Sequence, residues 1–196
     1  MHPAAVSTTK IPLNYPFSRM MNVALTGFMG CGKTTYGRAA AERAGSAFFD
    51  LDDAVLEAHN AAYPEQQCNS LSQVFSAMGE EYFRNLETST LRELLIGSEG
   101  VIIALGGGAV VREENRAVLK ENCRLVWLRC SLDTCLENIQ ATYPRPLLQG
   151  KSKAQIEEIF AVRNEIYSSV ADAVIDTDAL TFEQIADSII AECDYL

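Results

Sequence analysis

Residues 27–34 read Gly-Phe-Met-Gly-Cys-Gly-Lys-Thr and come directly after the apolar run Val23-Ala24-Leu25. No other stretch constrains the fold as much, because this octet works only as the turn between a buried strand and the N-terminus of a helix. Its glycines let the backbone curl so that successive N–H groups point at one anion, and the helix behind it adds the positive end of its dipole. Met21 to Thr26 reads as the strand. Thr34 to Ala44 reads as the helix, with Tyr36, Ala39, Ala40 and Ala44 along one face and Gly45 as its stop. In that setting Gly30, Cys31, Gly32, Lys33, Thr34 and Thr35 are the expected contacts to a nucleotide such as ATP. Lys33 would reach the β- and γ-phosphates, and the Thr34 hydroxyl would hold the Mg²⁺ that bridges them. A glycine-rich turn with no ligand is the plainer alternative; strand, loop, Lys-Thr and helix in the required order speak against it.

The rest of the chain repeats the alternation. Apolar runs of strand type lie at 21–26, 47–49, 101–105, 124–129 and 173–175. Helical periodicity covers 34–44, 71–78, 80–96, 113–121, 132–140, 154–168 and 181–192. Strand and helix in alternation predict a parallel sheet covered on both faces. With 196 residues and 48% hydrophobic content, residues 21–196 are expected to form one α/β domain, and residues 1–20 a disordered extension. Two stretches break the rhythm and read as loops, 60–70 and 142–152. The second holds Pro144, Arg145, Pro146 and Lys151, and the span 142–153 suits a lid that folds cations over phosphates.

Composition removes several classes of function. A net charge of −10 opposes nucleic-acid binding, which rests on a basic face. No run approaches the ~20 apolar residues that cross a bilayer, so no membrane partner is expected. The six cysteines include no C-x-x-C pair, which argues against a zinc or redox motif and for reduced thiols in a cytoplasmic protein.

Phosphoryl transfer to a small acceptor needs a base, a metal ligand and cations on the moving charge. Phe48-Phe49-Asp50-Leu51-Asp52-Asp53 ends a short strand in carboxylates, where Asp50 could touch the Mg²⁺ shell and Asp52 the acceptor. The competing reading of the same acids is a helix cap and first turn. Gly106-Gly107-Gly108 follows the strand 101–105 and leaves backbone N–H groups open, though an isolated triplet is more often a flexible turn. Arg84 and Glu87 share a helical face at i,i+3, which by itself reads as a surface ion pair. Arg163, midway along a helix, reads alone as a solvated charge. Arg145 stands out more, because flanking proline restricts the loop that carries it.

Taken in order, these pieces resemble the shikimate kinase family over about residues 21 to 178. Residues 27–38 resemble its phosphate loop, Asp50-Leu51-Asp52 its D-x-D element, and Gly79-Glu80 with Phe83-Arg84 and Glu87 its G-E-x-x-F-R-x-x-E element. Gly106 to Gly108 resemble its G-G-G, Arg145-Pro146-Leu147-Leu148 its lid, and Arg163 with Tyr167 and Asp172 its last segment. The resemblance implies a three-layer P-loop kinase fold like that of adenylate kinase, with a five-stranded parallel sheet in the order 2-3-1-4-5. It implies an acceptor-binding subdomain over 53–96 and a monomeric, cytoplasmic, ATP-dependent phosphotransferase acting on the 3-hydroxyl of shikimate in aromatic amino-acid biosynthesis. It assigns Asp52, Lys33 and Arg145 to catalysis, and Thr34 and Asp50 to Mg²⁺. Asp52, Arg84, Gly106, Gly107, Gly108, Arg145 and Arg163 are assigned to the acceptor, with both Arg84 and Arg163 on its carboxylate.

The chain also departs from the family. An arginine that packs on adenine is replaced by Asn138, and the segment between Asp52 and Arg84 is about eight residues longer, mainly over 61–69. The glutamate four places after Asp52 is Leu56. An altered adenine contact and a reshaped acceptor side are therefore expected. A related kinase of gluconate type, or a nucleotide-binding regulatory protein without transfer activity, are the alternatives these departures leave.

Overall fold

The computed structural model describes residues 21–140 and 150–193. The expected extension 1–20, Arg145 and most of the expected lid lie outside the described residues. Five parallel strands form one sheet: β1 (Val23–Thr26), β2 (Phe48–Asp50), β3 (Ile102–Ala104), β4 (Arg124–Arg129) and β5 (Ala173–Asp176). Their spatial order is β2-β3-β1-β4-β5, as the resemblance implied. β1 is central, and all four of its residues are buried, which is why Val23, Ala24 and Leu25 run apolar in succession rather than alternating. The edge strands β2 and β5 are only partly covered.

Register is set at the amino ends of the strands. Val23 lies opposite Ile102 on one side and Arg124 on the other. Just before it, the buried Asn22 donates through Nδ2 to the carbonyls of Ser98 and Asn122, both at 3.0 Å, and accepts from the N–H of Val101 at 3.1 Å. One amide thus satisfies backbone groups leading into β3 and β4, groups that would each cost about 1–3 kcal/mol if buried without a partner. This fixes where the carboxyl ends of β1 and β3 finish, and so where a ligand crevice opens.

Eight helices cover the sheet among the described residues: α1 (Lys33–Ala44), α2 (Leu51–Ala62), α3 (Leu71–Met78), α4 (Glu80–Leu95), α5 (Glu113–Asn122), α6 (Leu132–Gln140), α7 (Lys153–Val170) and α8 (Phe182–Cys193). A 3₁₀ turn, Ala109–Val111, precedes α5. α1 packs against α8, while α2 packs against α4. Seven of these helices lie within about two residues of their sequence expectation. The exception is α2, since 51–62 carries no helix in the periodicity reading and the loop expected at 60–70 begins only after Ala62. Two forces make this helix. Asp50 caps it, accepting the N–H of Asp52 at 3.0 Å, and Leu51, Val55 and His59 are buried at i, i+4 and i+8 along one stripe. Burying the two aliphatic side chains contributes about 1.5–3 kcal/mol each and the cap about 1 kcal/mol.

The enlarged loop after α2 is fastened rather than loose. Asn60 donates to the carbonyl of Cys68 at 2.9 Å and accepts its N–H at 2.8 Å. His59 Nδ1 pairs with the Tyr82 hydroxyl at 3.0 Å and its ring stacks on Tyr63. The insertion is therefore tied to α4. All six cysteines are buried and none forms a disulfide. Among the described residues no helix is long and apolar enough to cross a membrane.

Candidate active site

A cleft of about 1110 Å³ opens at the carboxyl ends of β1, β2 and β3. Its floor on one side is the loop 27–32 leading into α1. Gly30 and Gly32 hold φ of +82° and +89°, conformations that L side chains rarely adopt. A Cβ at Gly30 would collide with the backbone carbonyl of Cys135, and one at Gly32 with the Tyr36 ring. The first N–H of α1 satisfied within the helix is that of Tyr36, donated to Gly32 O at 2.8 Å. The preceding N–H groups of Lys33, Thr34 and Thr35 belong to the unsatisfied first turn, and these three residues line the cleft. Cys31 presents no side chain to the cleft. Its N–H closes a turn onto Phe28 O at 3.2 Å and its side chain is 2% exposed, so it faces the core. Burial raises the pKa of its thiol, with Lys33 opposing the rise.

Lys33 Nζ donates to the carbonyls of Gly27 at 2.9 Å and Phe28 at 3.1 Å, and its third proton meets the weak acceptor Cys31 Sγ at 3.7 Å. Thr34 Oγ1 donates to Asp50 Oδ2 at 2.7 Å. The other oxygen of Asp50 caps α2, so the carboxylate serves the cap through Oδ1 and meets Thr34 through Oδ2. Thr34 and Asp50 together present hard oxygen donors, a set that fits Mg²⁺ with most of its waters retained.

Across the cleft, Asp52 rests against the triple glycine: a Cβ on Gly106 would sit 2.6 Å from Asp52 Oδ1. A Cβ on Gly108 would meet Arg84 at 3.5 and 3.6 Å and Arg163 at 3.8 Å. The two guanidinium groups, 79 residues apart in the chain, thus converge on one point beside Gly108. Arg163 is no solvated charge. Its NH1 is buried with no hydrogen-bond partner among the described residues, and it lines a cavity of about 90 Å³ shared with Gly107 and Gly108. A buried cationic donor left without a partner is costly, and an anion there would satisfy it.

The Arg84–Glu87 pair is likewise not a surface pair. Arg84 NH1 donates to Glu87 Oε2 at 3.0 Å, and Glu87 is 2% exposed. Sequence reasoning placed Glu87 only as a motif member, although its position three after Arg84 is the signal of the contact. Tyr167, fully buried, donates its hydroxyl to Gly107 O at 2.7 Å and pins the turn; burial raises the pKa of its phenol. Phe182 also lines the cleft, with its ring 5.4 Å from that of Tyr36, and nothing in its apolar surroundings at the start of α8 marks it. Asn138 lines the same end and donates to Gly30 O at 2.8 Å. None of residues 61–69 lines the cleft. The insertion lengthens the acceptor side without forming its wall.

A phosphate loop with a carboxylate in the same cleft and paired arginines at the adjoining glycine turn can be compared with known proteins. A family model described as shikimate kinase matches residues 29–194. The chain belongs to the shikimate kinase family. A shikimate kinase of Chromobacterium violaceum is 40% identical over 157 residues, covering 80% of each chain. One from Thermodesulfovibrio yellowstonii is 36% identical over 178 residues, covering 90% of this chain and 97% of that one. Among solved structures, shikimate kinase from Acinetobacter baumannii in complex with shikimate superposes with a TM-score of 0.74 at 31% identity, over 87% of this chain and 91% of that one. A gluconokinase from Sinorhizobium meliloti shares the fold at a TM-score of 0.54 and 15% identity, over 90% and 93% of the two chains.

Proposed function

We propose that this member of the shikimate kinase family transfers the γ-phosphate of ATP to the 3-hydroxyl of shikimate, giving shikimate 3-phosphate and ADP. The observation that carries this reading is the convergence of Arg84 and Arg163 on one point beside Gly108, where Arg163 lines a small cavity with Phe28 and Met29 of the phosphate loop and with Gly107, and both Met29 and Gly107 also line the main cleft. Two guanidinium forks at one point are suited to a carboxylate, which they hold by direction as well as charge. An acceptor gripped there would present a hydroxyl toward Asp52, which lies against Gly106 on the same glycine turn and lines the main cleft with the phosphate loop.

The roles follow from the placement. The backbone N–H groups of the first turn of α1 and the Lys33 ammonium hold the phosphates, and Lys33 exchanges its loop carbonyls for phosphate oxygens. Thr34 and Asp50 would hold Mg²⁺, which when bound neutralises charge on the β- and γ-phosphates. Asp52 accepts the proton of the acceptor hydroxyl as its oxygen bonds to the γ-phosphorus, and the bond to ADP breaks on the opposite side. Arg145, carried by the lid segment in the family's pattern, closes over the reacting groups. The chain acts as a cytoplasmic monomer and takes ATP and shikimate as its partners.

A coupled assay of ADP release tests the reading. With MgATP, shikimate should raise the rate far above the no-acceptor background, and gluconate should not. A rate unchanged by shikimate sinks the proposal; a rise with gluconate alone would favour the gluconate-type alternative.

A further inference from the structure

The side chain of Asn115 is buried with no solvent exposure at all, in α5, a helix whose other polar residues are mostly exposed. Its Nδ2 donates to Ala109 O at 2.9 Å and to Glu87 Oε2 at 3.4 Å, while its Oδ1 accepts from Thr88 Oγ1 at 2.6 Å. The orientation of the amide is determined by chemistry. A carbonyl and a carboxylate are acceptors only, so the NH₂ group must face both, and the Thr88 hydroxyl can donate to the remaining oxygen. Every hydrogen-bonding group of this amide that faces the network is thereby used.

The position of this network matters more than its completeness. Glu87 Oε2 receives Asn115 from one side and Arg84 NH1 from the other, at 3.0 Å. Ala109 begins the 3₁₀ turn immediately after Gly108, the glycine that Arg84 and Arg163 approach. One amide therefore holds both the carboxylate that directs Arg84 and the end of the turn against which Arg84 is aimed. A buried carboxylate with two good donors keeps one orientation; with one donor removed, it can rotate and take the guanidinium with it.

We infer that Asn115 is a positioning residue for acceptor recognition: through Glu87 it sets the orientation of the Arg84 guanidinium relative to Gly108. The inference rests on the reading of Arg84 as a clamp for the acceptor carboxylate. It assigns to α5, which touches no part of the cleft, a share in the affinity for the anionic acceptor and none in the affinity for ATP.

The test is a double-mutant cycle read as steady-state kinetics. Asn115→Leu, similar in size and unable to hydrogen-bond, should raise the KM for shikimate about tenfold and leave the KM for ATP and kcat within about twofold. Arg84→Met should raise the same KM by a larger factor. In the Arg84→Met background, Asn115→Leu should add no further increase, because the group it orients is gone. A role in stability alone would not give this split or this lack of additivity. Thr88→Val, which removes the hydroxyl that Thr88 shares between Asn115 Oδ1 at 2.6 Å and the carbonyl of Arg84 in its own helix at 3.0 Å, should raise the shikimate KM more weakly and in the same pattern, and it serves if Asn115→Leu does not fold. An unchanged shikimate KM, a parallel rise in the KM for ATP, or an equal further increase on top of Arg84→Met would each overturn the inference. If Arg84→Met itself leaves the shikimate KM unchanged, the clamp reading falls and the inference with it. If only the Arg84 variant shows an effect, the clamp stands and Asn115 has no part in it.

Discussion

Gly106→Ala places a methyl group where the structure puts Asp52. The added Cβ would lie 2.6 Å from Oδ1, whereas ordinary van der Waals contact begins at about 3.4 Å, so the carboxylate must retreat by about 0.8 Å. The backbone at Gly106 does not have positive φ, so alanine adopts it without strain. What must yield is the far end of a side chain, and folding stability should therefore change by less than about 1 kcal/mol. Catalysis is less tolerant. Displacing a base by most of an ångström from the hydroxyl it serves costs on the order of 10- to 100-fold in turnover. The variant should thus melt near the parent temperature, bind ATP as the parent does, and show kcat lowered by that factor in the coupled ADP assay. Gly107→Ala is the control on the same turn, since its Cβ would meet nothing closer than 3.6 Å on the protein. It can raise the acceptor KM by crowding the site, but it gives no reason for a fall in kcat. If Gly106→Ala keeps parental kcat, or if both variants lower kcat alike, the contact between the Asp52 carboxylate and the glycine turn has no catalytic meaning.

Lys33→Ala removes the cation from the phosphate loop and should lower kcat by roughly 10²-fold or more, measured as ADP release at saturating substrates; near-normal turnover would overturn the phosphate-loop assignment. Phe182→Ala should raise the KM for ATP about two- to tenfold through loss of an aromatic wall beside Asn138, with the shikimate KM unchanged; an unaltered ATP KM would remove this ring from the base site. Alkaline stability offers a separate check. Burial raises the Cys123 thiol from its ordinary 9.0 to about 12, so the unfolded chain releases this proton first as pH rises. The stability tied to the thiol is whole below pH 9 and is lost between 9 and about 12, at no more than ~1.4 kcal/mol per pH unit. Melting temperatures from pH 8 to 11 should fall less steeply for Cys123→Ala than for the parent, and parallel curves would count against the buried thiol.

Much of the fold is legible in the sequence because the strands are short apolar runs, all but β4 ended by glycine or acid, and each helix but one carries a clear period. The missing helix, α2, shows where that logic fails. Asp50 ends β2, caps α2 and binds Thr34 at once, and a residue with three local meanings conceals the boundary it marks. The site divides in the same way. The phosphate loop is written in contiguous residues whose spacing is itself the geometry. The proposed acceptor side draws on α4, α7 and the turn after β3, and its parts look ordinary in isolation. Arg163 in a polar-looking helix and Asn115 in Glu-Glu-Asn-Arg carry no local sign of burial, because what buries them is packing between elements distant in the chain. Phe182 is hidden for the opposite reason: an aromatic at the start of an amphipathic helix reads as core, yet it is 45% exposed and faces the cleft.

The two halves of the site are nonetheless not independent. Leu105 donates its N–H to Leu25 O at 3.0 Å, continuing the β1–β3 ladder past the last residue of β3, and Gly107 then lies within 3.6 Å of Gly27 O by its would-be Cβ. The glycine turn proposed to face the acceptor therefore touches the first glycine of the phosphate loop. Their separation is set by strand register, which Asn22 secures at the far end of the same strands. A one-residue slip of β3 against β1 would move the glycine turn by about 3.3 Å, far outside the tolerance of an in-line transfer. Proximity of donor and acceptor is thus a property of the sheet, present before any segment closes over it. For this reason substitutions at the strand ends should depress kcat even when both substrates still bind, whereas losses at Arg84 or Phe182 should appear first in one KM.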